Sequence, residues 1–376
     1  MPDGVPSNAG GGAARSAGGA ARGARWRRWL ASPTVISTAA AIAFAVAAGL
    51  ALIALTGAQV GEAVAAFIDG AFGSAYAVAA SINRATSLAL VGIGFVLADR
   101  ANLTNVGGEG QIAVGGMAAT AAALYGGVAG LPLGLSFILP LTAAVLAGGL
   151  WGGIAGVLKL KAGTNEVIST LLLDFIAIWL VYWSVQSEAL LRQPMTHSST
   201  LPESLEIPDP TKLPIITGDP GVPLHIGLIL AAVLAVLIAV VLSKSLFGLW
   251  LRAVGLNPTA ARRAGISYGG VVGAALAIAG AFGGLAGGIM LLGEQYVLKS
   301  GFSSGYGFDG LVVGLLARGS VGGVIAGALF FGFLRSGGIN MEMVAAVPSA
   351  VVLVIQGLIV VTLAGAAYWT RSRSAA

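Results

Sequence analysis

Carboxylates are scarce in this chain, and those inside apolar stretches are its candidates for chemistry. The densest cluster is Asn105-Val106-Gly107-Gly108-Glu109-Gly110-Gln111, in which three glycines surround one carboxylate between two apolar runs. Glycine there lets backbone unwind and offer bare amide and carbonyl groups to a polar solute. An ionisable group inside a membrane span costs roughly 2.5–3.5 kcal/mol on insertion scales, so its presence marks function. A second cluster, Gly305-Tyr306-Gly307-Phe308-Asp309-Gly310, resembles the first at a fixed offset. Gly107, Glu109, Gly110, Ile112 and Ala113 align with Gly307, Asp309, Gly310, Val312 and Val313. Asp174 lies in a third apolar run, downstream of Asn165. It either lines a path through the bundle or fixes packing through a buried hydrogen bond. Asn165 and Glu166 follow Thr164 as an N-cap with an acid in the first helical turn, and capping alone explains that triplet.

A different pattern stands at 252–266. Asn257 is a good N-cap and Pro258 suits the first helical position. Arg262 and Arg263 complement the far end of the helix dipole, and Gly265 can terminate the helix. The spacing predicts a two-turn helix outside the membrane, able to pass force to a soluble partner or to serve as a capped connector. Chemistry of other kinds is excluded. There is no Cys, and His197 and His225 read as separate solvent or interface groups. Glu294 reads as a solvated rim group. The stretch Gly293–Ser300 approaches a phosphate loop but has Leu298 where the second glycine belongs, so the chain binds no ATP by that motif. No metal site and no cofactor are expected.

The elements that must position these residues follow from composition. Charged residues make up 9% of the 376 residues and hydrophobic ones 57%, with a mean hydropathy of +0.91. A soluble fold of this size needs far more charge on its surface, and a disordered chain far less apolar content. Continuous rather than alternating apolar runs exclude an outer-membrane barrel. The fold class is therefore all-α, a polytopic membrane bundle. Apolar runs near the spanning length fall at 34–55, 84–100, 111–129, 135–158, 165–184, 222–243, 269–292, 305–318, 320–335 and 345–367, about ten spans. Residues 56–83 read as an interfacial or re-entrant helix, and the Pro-rich stretch 185–221 as an irregular outer loop. Residues 1–30, carrying Arg15, Arg22, Arg25, Arg27 and Arg28, read as a flexible basic cytoplasmic tail. Residues 31–370 form the transmembrane domain.

With both termini inside, the tail arginines, Arg100, Lys159, Lys161, Lys244, Arg252, Arg262, Arg263, Arg318, Arg371 and Arg373 face the cytoplasm. These are fifteen of the 20 basic residues, as the positive-inside rule requires. Arg84, Arg192, Lys212, Lys299 and Arg335 fall outside. Spans 2–5 and 7–10 then form an inverted repeat, with the two glycine clusters in matching positions. Gly148-Gly149 and Gly152-Gly153, with the run from Gly280 to Gly288, predict close helix–helix contact.

The segments NVGGEGQIAVGG, GTNEVISTLLLDFIAIWL, LRAVGLNPTAARRAGI and SGYGFDGLVVGLLARG resemble the inner-membrane permease subunits of bacterial ABC importers. The branch is the one serving simple sugars, ribose-type sugars, branched-chain amino acids and nucleosides. The nucleoside permeases that work with a basic-membrane-protein lipoprotein look most similar. The resemblance implies a permease without its own ATPase site, in a bacterial plasma membrane. Its implied partners are a second, paralogous permease, cytoplasmic ATPases and an extracytoplasmic binding lipoprotein, and no nucleic acid. It places the segment 105–111, with Asn105, Gly107, Glu109 and Gly110, near the translocation path, and Asn165, Asp174, Tyr306 and Asp309 are further path candidates from the residues alone. It places Arg252, Gly255, Asn257, Pro258, Arg262, Arg263 and Gly265 in the loop that docks on the ATPase. Asp174 departs from the Asn usual in the family. The residues alone also allow a proton-coupled secondary transporter, with Glu109, Asp174 and Asp309 as relays.

Overall fold

The computed structural model describes residues 33–132, 134–194 and 201–375. The basic tail and His197 lie outside them. The regular structure among the described residues is helical: α1 (Pro33–Leu55), α2 (Val60–Phe72), α3 (Ala75–Asp99), α4 (Gly108–Tyr125), α5 (Leu135–Ala162), α6 (Glu166–Gln186), α7 (Gly227–Lys244), α8 (Leu246–Leu256), α9 (Pro258–Arg263), α10 (Tyr268–Met290), α11 (Tyr306–Leu316), α12 (Val321–Ala345) and α13 (Ser349–Ala375). Only isolated β-bridges pair extended residues.

The chain divides into two compact units. The first takes in residues up to Val64 and from Glu342 onward, and the second runs from Ala65 to Met341. In the first unit α1 packs on α13, with Gly49 against the Ile355 side chain. In the second unit α3 and α10 are buried through most of their length. The helices α5, α6 and α7 instead turn Leu150, Trp179 and Val236 outward, each about two-thirds exposed or more. An outward apolar belt around a helical core is what hydrocarbon surroundings require and water forbids.

Glycine sets the closest contact of that core. A Cβ added at Gly148 would lie 2.4 Å from the Gly280 carbonyl oxygen, and one at Gly284 would lie 2.2 Å from that of Ala144. Gly152 and Gly280 continue the stripe at four-residue spacing, so α5 and α10 touch backbone to backbone. Lipid tails give helices no hydrophobic reason to associate, and such contact supplies dispersion instead.

The count of about ten spans is not confirmed. Among the described residues six helices are long and apolar enough to cross a membrane: α3, α5, α6, α7, α10 with its continuation to Gln295, and α12. They become seven if α1 and α2 count as one broken span. The run 305–318 yields only the 11-residue α11, about 16 Å long, half the hydrocarbon thickness. Two boundaries also move. α3 begins at Ala75, which places Arg84 within the helix rather than at its outer edge, and α12 continues past Arg335 to Ala345. Both guanidiniums find partners inside the bundle, so neither ends a helix.

Candidate functional site

Two helix beginnings meet inside the second unit. α3 ends at Asp99, and the backbone turns at 100–102 and passes without regular structure through the buried Asn105 to a turn at Gly107 before α4 starts at Gly108. Asn105 and Gln111 exchange side-chain hydrogen bonds, each 3.1 Å, and Asn105 Oδ1 also accepts the Gly107 N–H. α6 supplies the rest of the support. Thr170 Oγ1 accepts the Val106 N–H at 3.2 Å, and one turn further on Asp174 Oδ1 accepts the Gly110 N–H at 2.7 Å. Four residues of separation put both side chains on one helix face. Asp174 Oδ1 thus serves one orphan amide of the α4 start.

The second beginning is α11. Glu109 Oε1 accepts the Gly305 N–H at 2.8 Å, and Oε2 accepts the Gly307 N–H at 2.7 Å. The carboxylate of one glycine cluster therefore caps the helix that starts at the other. Gly307 lies directly on the backbone of Gly108 and Glu109. From here the helices diverge. α4 runs to Tyr125, whose hydroxyl donates to the Leu190 carbonyl, beyond the end of α6. α11 runs the opposite way, to the turn at Gly319, whose carbonyl accepts from Arg100 Nη2 at 2.6 Å. Two helix starts with opposed positive ends, those of α4 and the short α11, meet in the bundle, and a carboxyl group accepts backbone amide N–H at each.

Asp309, one turn into α11, pairs with Arg335 of α12 at 2.6 Å. The same guanidinium donates to the Ser304 carbonyl and lies 3.9 Å from the centroid of the Tyr306 ring. The next residue, Ser336, accepts from Arg84 Nη1 and donates to the Gly70 carbonyl, both at 3.0 Å. Arg335, Arg84, Thr170 and Ser336 escaped the sequence reading. The signal for the two arginines was a guanidinium within an otherwise apolar run.

The Asp309–Arg335 pair is mostly buried, with side-chain exposures of 18% and 12%. Arg335→Gln leaves Asp309 as an uncompensated carboxylate, and removing one partner of a buried pair costs about 3–5 kcal/mol. Removing both charges restores neutrality. The Arg335→Gln variant is therefore expected to melt at a lower temperature in detergent than the Asp309→Asn/Arg335→Gln double variant. Equal melting temperatures would show that the unpaired Asp309 carboxylate carries no burial cost.

Of the residues expected near a path, Asn105, Gly107, Glu109, Gly110 and Asp174 come together, and Tyr306 and Asp309 join them through the start of α11. Asn165 does not. It caps α6, its Oδ1 accepting the Val167 N–H at 2.9 Å, and it is exposed beside the Lys159–Glu166 ion pair. His225 is not a solvent group. Its ring is 1% exposed, with room left for it by Gly227 and Gly293. Glu294 is not a solvated rim group either, being 22% exposed and 4.0 Å from His225 Nε2.

The basic segment has the expected form. Asn257 Oδ1 accepts the Thr259 and Ala260 N–H groups at 3.0 Å, Pro258 opens α9, and Gly265 has φ +83°. Arg262 lies over the Tyr268 ring, and Arg252 Nε donates to the Gly248 carbonyl. Leu256, at the elbow between α8 and α9, is 88% exposed. Gly255 touches the backbone of Arg100. At the opposite end the loop 203–215 lies along 292–298, through hydrogen bonds from Ser204 to Leu298, Ile207 to Tyr296 and Leu213 to Leu292. There the carboxylates of Asp209 and Glu206 hold the Lys212 ammonium above its usual pKa. No cluster among the described residues has three side chains able to hold a metal.

The fold is thus an apolar helical bundle in which two opposed helix starts meet, with a basic elbow projecting from it. Residues 77–364 match the family described as branched-chain amino acid transport system / permease component. The chain belongs to that family and is an ABC transporter permease, a multi-pass membrane protein. It is 35% identical over 325 residues to the guanosine ABC transporter permease protein NupP of Bacillus subtilis, covering 86% of this chain and 91% of that one. It is 34% identical over 354 residues to the glucose ABC transporter permease protein TsgB13 of Haloferax volcanii, covering 92% and 90%. The nucleoside ABC transporter permease protein NupB of Lactococcus lactis is 29% identical over 306 residues, 76% of this chain and 80% of that protein. No solved structure matches the chain.

Proposed function

We propose that this permease forms one half of an import path for neutral polar solutes, nucleosides or simple sugars. The observation that carries the reading is the carboxylate-bridged meeting of α4 and α11 inside the bundle, in a chain whose relatives include guanosine and glucose permeases. The chain sits in the plasma membrane with both termini cytoplasmic. It pairs with a paralogous second permease, as NupP and NupQ are both guanosine permeases of one organism. Two cytoplasmic ATPases supply the energy, and an extracytoplasmic lipoprotein delivers the solute. The permease holds no cofactor and hydrolyses no ATP itself. Residues 252–266 dock on the ATPase, whose closure moves the helices around the path. A proton relay through Glu109, Asp174 and Asp309 is disfavoured, because both Glu109 oxygens accept backbone amides and Asp309 pairs with Arg335.

The test is uptake by cells carrying the permease with its neighbouring transporter genes. Arg262→Glu/Arg263→Glu is expected to abolish uptake while the chain still reaches the membrane. Undiminished uptake would refute the docking assignment. Wild-type uptake that collapses with an uncoupler and ignores ATP depletion would refute the ATP-driven reading. Competition of labelled uridine uptake by ribose and by leucine separates the solute classes.

A further inference from the structure

The segment that docks on the ATPase and the half-helix at the path are joined through one side chain. At Gly255 the end of α8 lies on the turn that follows α3. A Cβ there would sit 2.5 Å from the Arg100 carbonyl oxygen, 3.0 Å from the Ala101 carbonyl carbon and 3.1 Å from the Asn102 nitrogen. All three neighbours are backbone, so a shift of α8 must be met by that turn. The turn is tight. Asn102 has φ +56°, and the N–H groups of Ala101, Asn102 and Leu103 all bond back to Ala98 or Asp99 carbonyls.

The Arg100 side chain leaves this turn and reaches the far end of α11. Its Nη2 donates to the Gly319 carbonyl at 2.6 Å, and a Cβ at Gly319 would lie 3.6–3.7 Å from Nε, Cζ and Nη2. The guanidinium thus lies along the backbone at the α11 terminus, where the dipole favours a cation. Arg318 and Gly319 both have positive φ there, +50° and +75°. α11 is a single rod of 11 residues. Its other end is the pair of amides held by Glu109. The contacts therefore form one continuous series: α8 at Gly255, the Arg100 turn, the Arg100 guanidinium, α11, and Glu109 at the path.

We propose that Arg100 is a positioning residue that carries displacement of the α8–α9 segment into α11, and so couples ATP hydrolysis to opening of the path. This rests on the permease reading above. A contiguous series of contacts becomes a coupling route only if breaking it separates the two events it joins.

The experiment uses the complete transporter with its partner permease, ATPases and binding protein, reconstituted in vesicles. Uptake of labelled uridine and ATP hydrolysis are measured on the same preparation. Arg100→Gln is expected to keep hydrolysis near the wild-type rate while uptake per ATP falls about tenfold, within the usual span of coupling factors. Arg100→Lys, which retains a cation able to reach one carbonyl, is expected to restore part of that ratio. Gly255→Ala pushes on the other face of the same turn and is expected to lower the ratio too. The double variant should fall no further than the worse single one. If uptake and hydrolysis fall in proportion, Arg100 is only structural and the proposal fails. An unchanged ratio in Arg100→Gln also overturns it. If wild-type vesicles show no ATP-dependent uptake, the permease reading itself has failed, whatever Arg100 does.

Discussion

Glu109→Ala is expected to abolish uptake and to lower the melting temperature of the solubilised permease. The side chain is 4% exposed and accepts two amides from a helix start 196 and 198 residues further on. Truncation leaves both amides without an acceptor at about 1–3 kcal/mol each. It also removes the anion from the positive end of α11, an effect of up to about 2 kcal/mol in buried geometry. Asp309 is not free to take over, because it already holds Arg335, and Asp174 Oδ1 is committed to the Gly110 N–H of the other helix start. Glu109→Gln separates charge from connectivity. Its one carbonyl oxygen can accept from Gly305 or Gly307, but its amide nitrogen then faces the other N–H as a second donor. It should therefore sit between wild type and Glu109→Ala in both uptake and melting temperature. Wild-type uptake by Glu109→Ala would show that the two helix starts need no bridge.

Much of this site was legible because so little else in the chain is charged. A carboxylate between glycines in an apolar stretch can be found by eye, and Glu109 and Asp309 were found that way. What Glu109 does was not legible. Its partners are two backbone amides almost 200 residues distant, and no local pattern announces a contact of that kind. Arg84 and Arg335 failed for a related reason. Hydropathy treats a guanidinium as the edge of a span, whereas Ser336 and Asp309 let these two sit within helices. Asn165 erred in the opposite direction, since its local pattern as an N-cap was already the whole explanation. His225 looked like a surface residue because the two glycines that make room for its ring lie on different elements, at 227 and 293. The basic elbow was the easiest to read. Its Asn257 cap, Pro258 start and Gly265 stop are all local rules, and the structure follows each of them.

Gly307→Ala is the sharpest test that the two helix starts must touch. A Cβ at Gly307 would lie 2.0 Å from the Glu109 nitrogen and 2.4 Å from both the Glu109 Cα and the Gly108 carbonyl carbon. Backbone surrounds the added methyl, so no rotamer change can relieve it. The strands of chain at α4 and α11 must separate by more than an ångström to reach ordinary van der Waals distance. Overpacking a rigid core costs about 1–3 kcal/mol when side chains can adjust, and more when only backbone can move. Separation would also lengthen the Glu109 bonds, so the packing and hydrogen-bonding penalties arrive together. Gly305→Ala is the natural control. Gly305 has φ +80° and nothing within 4 Å of an added Cβ, so it bears only the left-handed backbone penalty of about 1–2 kcal/mol. Gly307→Ala is expected to lose uptake at least as completely as Glu109→Ala, and Gly305→Ala to retain a measurable part. If Gly305→Ala proves the more damaging of the two, conformation at the turn and not contact between the helix starts is what the site depends on. That ranking can be read from uptake rates scaled to the amount of folded permease in the membrane.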